Sequence, residues 1–550
     1  MRKTAFFFLF LLAGSLAFAQ APAGTTLPRP KLVVGIVVDQ MRWDYLYRFY
    51  DRYQPNGFKR LLGEGFTCEN TYIDYIPTVT AIGHSTVYTG SVPAIHGIAG
   101  NDFIIQATGK TMYCTEDSSV QTVGSFSEAG KMSPRNLLTS TITDELKLAT
   151  NFRSKVIGIA LKDRGGILPA GHAANAAYWF DDSTGNWITS TYYMKELPAW
   201  VKAFNDQKLP QKYLLQDWKP LYDPKTYVQS APDENAYEGK YGKSTTTALP
   251  VQTSGLINPK NYDLIRSTPY GNTLTFDLAK AAVEHEELGK NVVTDFLTVS
   301  CSSTDYVGHK MGVNSLEIED VYLRFDRDLA GFLTYLDTKV GKGNYTVFLT
   351  ADHGAAHNAR FLIDHNIPAG YFDNAGTQRE LNDVLEKKYA AKSLVSSLMN
   401  NQVHLNYKAL ADSHLDEEAI RKDIVIALRA RPHISFVIDN LHPDESGAPE
   451  LIKSRARNGY NAKRSGVITF AFEPGWYSGA ANPGTGTTHG SWNSYDAHIP
   501  LLWMGWGIKK GHTNRHTGMT DISATLAALL HIQEPNGCIG KPIEEVLKNQ

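Results

Sequence analysis

The sequence has no excess of either charge and no internal repeat, and long apolar runs are missing beyond its N-terminus. Its 550 residues include 54 Lys and Arg against 56 Asp and Glu, a formal net charge of −2. A chain so balanced lacks the basic field that nucleic-acid binding uses, so we expect no nucleic-acid partner. Hydrophobic residues make up 42% and charged residues 20%, which is typical of a globular protein with a large core.

The one long apolar run lies in the N-terminal segment MRKTAFFFLFLLAGSLAFAQ. Arg2 and Lys3 precede it, and the A-F-A tripeptide at 17–19 is typical of a cleavage site, so residues 1–19 are predicted to be a secretory signal peptide. A membrane anchor is the alternative, but the run is short for a span. We therefore expect a mature chain, residues 20–550, that is periplasmic or secreted, monomeric and free of the membrane.

Cysteines are few, and they are far apart in the sequence. Cys68, Cys114, Cys301 and Cys538 can pair in three ways if the protein is exported to an oxidising compartment. We expect Cys68–Cys114, which closes a short loop, and Cys301–Cys538, which ties the C-terminus to the core. Four buried free thiols are the alternative.

Apolar runs rich in β-branched residues recur along the chain, which is typical of strands buried in a parallel sheet. They lie at 31–40, 154–161, 292–300, 345–354 and 499–507. Segments with helical spacing of apolar residues lie at 134–149, 315–341 and 521–532. This alternation predicts an α/β fold with a mostly parallel central β-sheet sandwiched by helices.

Two stretches break the alternation. Residues from about 184 to 275 are rich in Tyr, Trp, Pro, Lys and Asn with little periodicity, and residues from about 360 to 465 mix short helices with short strands. We interpret both as cap segments inserted over one face of a single core, not as independent domains.

Acidic and histidine side chains gather at the ends of the predicted core strands. They are Asp39, Asp305, His309, Asp352 and His353, with His489 in a glycine-rich loop before the last strand. Each alone is typical of a cap or turn, but functional residues of open α/β sheets collect at the carboxyl ends of strands. Together they make two sets of three ligands without thiolate, which suits two Zn²⁺ ions. Three carboxylates and two divalent ions leave the site with a net positive charge, which favours an anionic substrate. Two metal ions can also hold the attacking and leaving oxygens of an in-line phosphoryl displacement.

Further polar residues could bind that anion. The ALKDRGG segment puts Lys162 and Arg164 two residues apart after a strand, so in an extended segment both would point to one side and grip a phosphate. Two solvated charges are the alternative. Asn101 lies in the turn-rich GIAGND segment, where asparagine is common for purely local reasons.

The stretch PTVTAIGHSTVYTG, residues 77–90, is compatible with a helix that ends at Gly90. Thr80 is expected at its N-cap, where free backbone N–H groups favour anions. Thr80 is therefore either a simple cap or a nucleophile activated by a nearby metal. The local sequence alone favours the cap.

Taken together, these motifs resemble the alkaline phosphatase superfamily over nearly the whole mature chain. The segment PTVTAIGHSTVYTGSVPAIHGIAGND is similar to the nucleophile segment of its nucleotide pyrophosphatase/phosphodiesterase branch, and STDYVGHKMG and TADHG are similar to its metal motifs. The resemblance implies that Thr80 is the nucleophile and that Asn101 binds a phosphate oxygen. It also implies one zinc ion held by Asp39, Asp352 and His353, and a second held by Asp305, His309 and His489.

The Lys162/Arg164 pair narrows the resemblance to the phosphate-irrepressible, PafA-type periplasmic alkaline phosphatases. That likeness implies an exported, zinc-dependent enzyme of broad specificity that hydrolyses small-molecule phosphate monoesters through a phosphothreonine intermediate. A phosphodiesterase of the same superfamily is the nearest alternative, and a non-catalytic protein that binds metal or phosphate is a third. His84, one turn after Thr80, is expected to have a packing role and not to act as a general base.

Overall fold

The computed structural model describes residues 27–479 and 484–547. The predicted signal peptide, residues 1–19, lies outside the described residues. Within these two ranges, no helix is both long enough and apolar enough to cross a bilayer.

Ten strands of the described chain form one central mixed sheet, and we number them in chain order. They are β1 Leu32–Val38, β2 Phe66–Cys68, β3 Thr122–Val123, β4 Val156–Ala160, β5 Ala176–Asp181, β6 Asn186–Ser190, β7 Asp295–Cys301, β8 Tyr345–Thr350, β9 Leu501–Gly505 and β10 Gly511–Thr513. Their spatial order is β10-β2-β9-β8-β1-β7-β4-β5-β6-β3. The middle of the sheet, from β8 through β1, β7 and β4 to β5, is parallel. The residues of β1, β7 and β8 are all buried, as their continuous apolar runs predict.

The predicted α/β fold, with helices flanking a central sheet, is confirmed. One strand runs differently from the prediction: β9, expected at 499–507 as another parallel strand, is antiparallel to both β8 and β2. A strand buried on both faces has the same continuous apolar pattern in either direction, so the sequence does not encode its orientation.

Helices pack around this sheet, and we number seven of them separately in chain order. They are α1 Thr80–Thr89, α2 Ile142–Ala149, α3 Asp163–Ala170, α4 Tyr270–His285, α5 Ser303–Met311, α6 Leu316–Leu336 and α7 Asp521–Leu530. α1 contacts α2, α3 and α7, whereas α4, α5 and α6 contact one another.

Two helix boundaries differ from the sequence pattern for local reasons. The helix predicted at 134–149 begins only at Ile142, because Thr141 and Asp144 form a capping box that starts it there. The helix predicted at 315–341 is α-helical only to Leu336, after which residues 337–341 form a π-helical turn.

The chain between β8 and β9 forms a second, smaller layer with its own apolar cluster. Its antiparallel strands are, in spatial order, Val395–Met399, Gln402–Leu405, Ile468–Phe472 and Ile434–Asp439. The helices Asn374–Tyr389 and Glu417–Arg429 pack against this sheet, and Glu450–Gly459 follows them. Between β6 and α4, residues 191–269 contain two short α-helices, Ala199–Asp206 and Leu209–Leu214, and three short 3-10 helices, with irregular backbone between them.

All four cysteines are free thiols, so the structure contradicts both predicted disulfides. Cys68 ends β2 and Cys301 ends β7, four strands away in the sheet. Cys114 lies near Asp163 at the start of α3, and Cys538 lies against Gly90. Sequence spacing gives the length of a loop but not the direction of its side chains, which is why the pairing failed.

Gly83 allows α1 to pack directly against the chain that follows β8. A Cβ atom at this position would lie 2.4 Å from the carbonyl oxygen of Asp352 and 2.6 Å from its Cβ. No side chain fits that gap without displacing backbone. The contact places Thr80, one turn earlier in α1, beside Asp352 and His353.

We predict that Gly83→Ala lowers the free energy of unfolding by about 1–3 kcal/mol, because the added methyl group overpacks a backbone contact. The midpoint of urea unfolding measures this. Gly63→Ala is the matched control: Gly63 lies in the helix Phe58–Glu64 with no atom within 4 Å of an added Cβ. There, alanine should be neutral or stabilise by up to about 1 kcal/mol. Equal effects of the two substitutions would contradict the packing described.

Candidate active site

Three buried carboxylates meet at the carboxyl ends of adjacent parallel strands. Asp39 directly follows β1, Asp305 lies in the first turn of α5 after β7, and Asp352 lies two residues after β8. Asp39 and Asp352 are 0% exposed and Asp305 is 3% exposed. Because β7, β1 and β8 are neighbours in the sheet, their ends deliver the three side chains to one place.

The histidines complete two groups whose ligand atoms lie within 4.8 Å of one another. One group is Asp305, His309 and His489, the same three residues that the sequence predicts for one metal. The other is Asp39, Asp305 and His353, so Asp305 takes part in both. Asp352, predicted in this second set, has its Oδ2 atom 3.5 Å from His353 Nε2. The structure thus brings all six predicted ligands together, with Asp305 at the centre.

Each histidine is oriented by a backbone carbonyl group. The Nδ1 atoms lie 2.9 Å from Thr487 O in His309, 2.9 Å from Gly354 O in His353 and 2.8 Å from Thr78 O in His489. A carbonyl oxygen can only accept, so Nδ1 carries a proton and Nε2 is directed toward the carboxylates. Metal-ligating histidines are held in this way.

The acidic groups outnumber the positive charges that face them. Lys162 Nζ pairs with Asp39 Oδ2 at 2.7 Å and with Asp305 Oδ2 at 2.6 Å. Asp39 Oδ1 and Asp352 Oδ2 are buried and accept no hydrogen bond from the described residues. Burial, then the charges of Asp305 and Asp352, raise the pKa of Asp39 to about 8.

Burial also disfavours the charged forms of Asp305 and Asp352, but nearby imidazoles and Lys162 hold the pKa of each below its ordinary value. Asp39 is shifted in the opposite direction because it has fewer such partners. Taken together, the three carboxylates carry more negative charge than Lys162 can balance. The unpartnered oxygens and the inward-facing imidazole nitrogens fit divalent cations, and a donor set of oxygen and imidazole suits zinc.

Thr80 is the first residue of α1 and does not cap it. Val79 is the N-cap residue, and the Ala81 N–H donates instead to Asn101 Oδ1 at 2.9 Å. The predicted cap is therefore off by one residue, and the capping oxygen comes from Asn101. Thr80 is 1% exposed, and its Oγ1 lies 3.4 Å from His353 Nε2.

The other serine and threonine hydroxyl groups of this stretch have hydrogen-bond partners within the protein. Thr78 donates to Ser491 O at 2.9 Å, Ser85 to Ala81 O at 2.8 Å and Thr89 to Ser85 O at 2.7 Å, and Thr86 Oγ1 lies 3.3 Å from His96 Nε2. Thr80 is the one hydroxyl of the five that faces the acidic cluster.

Lys162 and Arg164 are placed differently from the expectation of an extended pair. Lys162 is the N-cap residue of α3 and Arg164 lies inside its first turn, because the helix starts at Asp163. Lys162 reaches the carboxylates, whereas Arg164 Nη1 donates to Tyr113 OH at 2.9 Å. Arg164 Nε is buried without a hydrogen-bond partner among the described residues, which leaves a donor for an anion.

Sequence reasoning missed Tyr113, which orients Arg164. Its hydroxyl group donates to Asp163 Oδ1 at 2.7 Å, so it can only accept from Arg164. Asn101 directly precedes the hairpin of strands Asp102–Ile105 and Lys110–Tyr113, and Tyr113 is its last residue, so the hairpin holds both beside the site. The sequence spacing of these residues does not predict the contact with α3.

Gln40 was also missed. Its Nε2 donates to Asp305 Oδ1 at 2.7 Å and its backbone N–H to Asp352 Oδ1 at 3.1 Å, so it links two of the three acids. Its φ of 66° is unusual for a residue with a side chain. The one sequence signal for it is its position directly after Asp39.

His84 has the contacts of a supporting residue. Its Nδ1 lies 2.9 Å from Thr80 O and its Nε2 lies 2.7 Å from Ser300 Oγ. The carboxylate of Asp352 is also near, with Oδ2 3.3 Å from Nδ1. Both ring nitrogens face groups of the protein, so neither is directed at a substrate.

Comparison with known proteins places this site in a family. The chain belongs to the type I phosphodiesterase/nucleotide pyrophosphatase family, whose model matches residues 33–495.

Within that family, the chain is similar to alkaline phosphatase PafA of Elizabethkingia meningoseptica, with 51% identity over 522 residues and 95% of each chain covered. The crystal structure of wild-type PafA matches with a TM-score of 0.93, covering 95% of this chain and all of that one. A protein of Myroides odoratus named calcium-transporting ATPase is 59% identical over 528 residues, 96% of each chain. The predicted superfamily and an alkaline phosphatase type of enzyme are confirmed.

Proposed function

We propose that the chain is a zinc-dependent alkaline phosphatase that hydrolyses small-molecule phosphate monoesters, with broad specificity, through a covalent phosphothreonine intermediate. The observation that carries the proposal is the Thr80 hydroxyl group. It is buried at a helix start, is not used as a cap, and lies 3.4 Å from His353 Nε2 in the acidic cluster. The similarity to PafA, which is named an alkaline phosphatase, supports it.

The six predicted ligands would hold two zinc ions. Asp39, Asp352 and His353 would bind the ion nearer Thr80, and Asp305, His309 and His489 would bind the other, with Asp305 close to both groups. Zinc bound there supplies Lewis acidity to the attacking and leaving oxygens.

The Thr80 hydroxyl group loses its proton to solvent. Its Oγ1 attacks phosphorus in line with the leaving oxygen, so the ester P–O bond breaks as the bond to threonine forms. Water then attacks the phosphothreonine from the opposite side and releases phosphate. Each displacement inverts the configuration at phosphorus, so the overall reaction retains it.

The remaining polar side chains bind the phosphoryl oxygens. Asn101 Oδ1 is fixed on Ala81 N–H, which leaves its amide NH₂ group to donate to a phosphoryl oxygen. Arg164 offers its unpartnered Nε, while Tyr113 orients the guanidinium. Lys162, which pairs with Asp39 and Asp305, adds a positive charge to the site. A monoester dianion carries one more negative charge than a diester, so these cations favour the monoester.

A phosphodiesterase is the second candidate, because the matching family model is described by that activity. The name of the Myroides odoratus relative refers to ATP hydrolysis, and the terminal phosphoryl group of ATP presents the same chemistry as a monoester. We propose further that the protein is exported after cleavage at residues 17–19, acts as a monomer without a nucleic-acid partner, and selects substrates through the cap segments at about 184–275 and 360–465.

We predict that Thr80→Ala lowers kcat for an aryl phosphate by at least about 10³-fold while the protein still binds its metal ions, because the nucleophile is lost and the ligands stay. Steady-state kinetics and elemental analysis measure the two quantities. Thr89→Ala is the matched control, a buried threonine of the same helix whose hydroxyl donates to Ser85 O. Undiminished turnover in Thr80→Ala would show that Thr80 is not the nucleophile.

Lys162→Ala and Arg164→Ala should each reduce kcat/KM more for an aryl phosphate than for its methyl diester. One charge-assisted hydrogen bond corresponds to a difference of about 10- to 100-fold. The exposed Lys110, changed to alanine, is the control and should alter neither rate. An equal loss on both substrates would contradict the proposed preference for monoesters.

A further inference from the structure

A second group of buried acidic side chains lies outside the active site, where residues 229–247 cover the start of α6. Glu317, in the first turn of α6, is 0% exposed, and neither of its carboxylate oxygens has a hydrogen-bond partner among the described residues. Glu238 is 3% exposed; its Oε1 accepts from Asn235 Nδ2 at 2.6 Å, whereas its Oε2 is unpartnered. Thr247 is 5% exposed, and its Oγ1 is also without a partner.

These side chains are near neighbours. After burial itself, the charge of Glu238 is the strongest influence that raises the pKa of Glu317. Burial raises the pKa of Glu238 to about 8, and Thr247 is the neighbour beside its carboxylate, without the geometry of a hydrogen bond. The group therefore presents four unpartnered oxygen atoms, two from Glu317 and one each from Glu238 and Thr247.

The charges nearby are directed elsewhere. Lys310 Nζ lies over the ring of Tyr241, 5.0 Å from its centroid, and Arg324 pairs with Asp320 at 2.6 Å. Among the described residues, neither Glu238 nor Glu317 has an ion pair. An ionised carboxylate buried without a partner costs several kcal/mol, so the group needs either protons or a cation.

The number and type of oxygens decide between these two. Protons on the two acids would remove their charges but would give each acid only one new donor, whereas a cation between the carboxylates would neutralise both charges and bind their oxygens directly. Carboxylate and hydroxyl donors without imidazole or thiolate suit a hard cation with six to eight oxygen ligands. We propose that Glu238, Glu317 and Thr247 hold one divalent cation of the calcium type.

The position of this site links it to the active site. Tyr237 O accepts from Gly486 N–H at 2.7 Å, and Gly239 N–H donates to Lys310 O at 2.8 Å. Lys310 directly follows His309, and Gly486 directly precedes Thr487, whose carbonyl orients His309. A cation bound by Glu238 would therefore fix residues 237–239, whose backbone is hydrogen-bonded to Lys310 and Gly486.

The test uses the full chain, stripped of metals, reloaded with two equivalents of zinc and divided into samples with and without calcium at about 1 mM, a concentration typical for extracellular calcium sites. We expect calcium to raise the unfolding temperature by about 2 °C or more, and elemental analysis after desalting to find one calcium ion per chain. Glu317→Gln and Glu238→Gln should lose the bound calcium and the shift. The exposed Glu287, changed to glutamine, should keep both.

Identical unfolding temperatures with and without calcium, and no bound calcium in the wild type, would overturn the proposal. So would a calcium effect that both glutamine variants retain in full. Protonation of the acids instead predicts no calcium effect and a Glu317→Gln variant at least as stable as the wild type, since glutamine mimics the protonated acid. If the glutamine variants do not fold, Thr247→Val, which removes one neutral ligand, should weaken calcium binding; unchanged binding there counts against the site.

Discussion

The main constraint on this structure is electrostatic: the sheet brings three carboxylates together, and their negative charges repel one another. Asp39, Asp305 and Asp352 are buried at the ends of three adjacent parallel strands, and Lys162 is the one ammonium group paired with them in the described part of the chain. A folded chain cannot bury this excess of negative charge without compensation. A backbone carbonyl group orients each histidine so that Nε2 faces inward. The carboxylates and imidazoles together form a binding site for cations. The proposed phosphatase chemistry follows from that binding site, because bound cations convert an acidic pocket into one that attracts an anion.

Thr80 belongs to the same constraint. Gly83 brings α1 against Asp352, and Asn101 supplies the capping oxygen that Thr80 does not. The threonine hydroxyl is therefore left facing His353. A helix start also presents free N–H groups to an anion, so the position suits a residue that carries a phosphoryl group during turnover.

Much of this could be predicted from the sequence, because the signals are local. Asp39 and Asp352 stand next to apolar runs that are strands, and strand ends in a parallel sheet share one edge. What depends on packing could not be predicted. The direction of β9, the free state of the cysteines and the contact of Tyr113 with Arg164 all require knowing which distant segments meet. The prediction that Lys162 and Arg164 lie in an extended segment was wrong, because α3 begins between them. The two side chains therefore make separate contacts.

The acidic group around Glu317 follows the same reasoning at a second place. There too, carboxylate oxygens are buried without hydrogen-bond partners among the described residues, but the ligand atoms of Glu238, Glu317 and Thr247 are all oxygens and the group contains no imidazole. One structure would thus use two kinds of cation site, one for reaction and one to hold the segment that supports His309. The difference in donor type separates them.

The most direct test of the central claim is the phosphomonoesterase activity of protein stripped of metal by a chelator, with metal content checked by elemental analysis. The account predicts that hydrolysis of an aryl phosphate is lost in the stripped protein and returns on addition of two equivalents of zinc per chain. Full activity in a sample shown to be free of metal would contradict it.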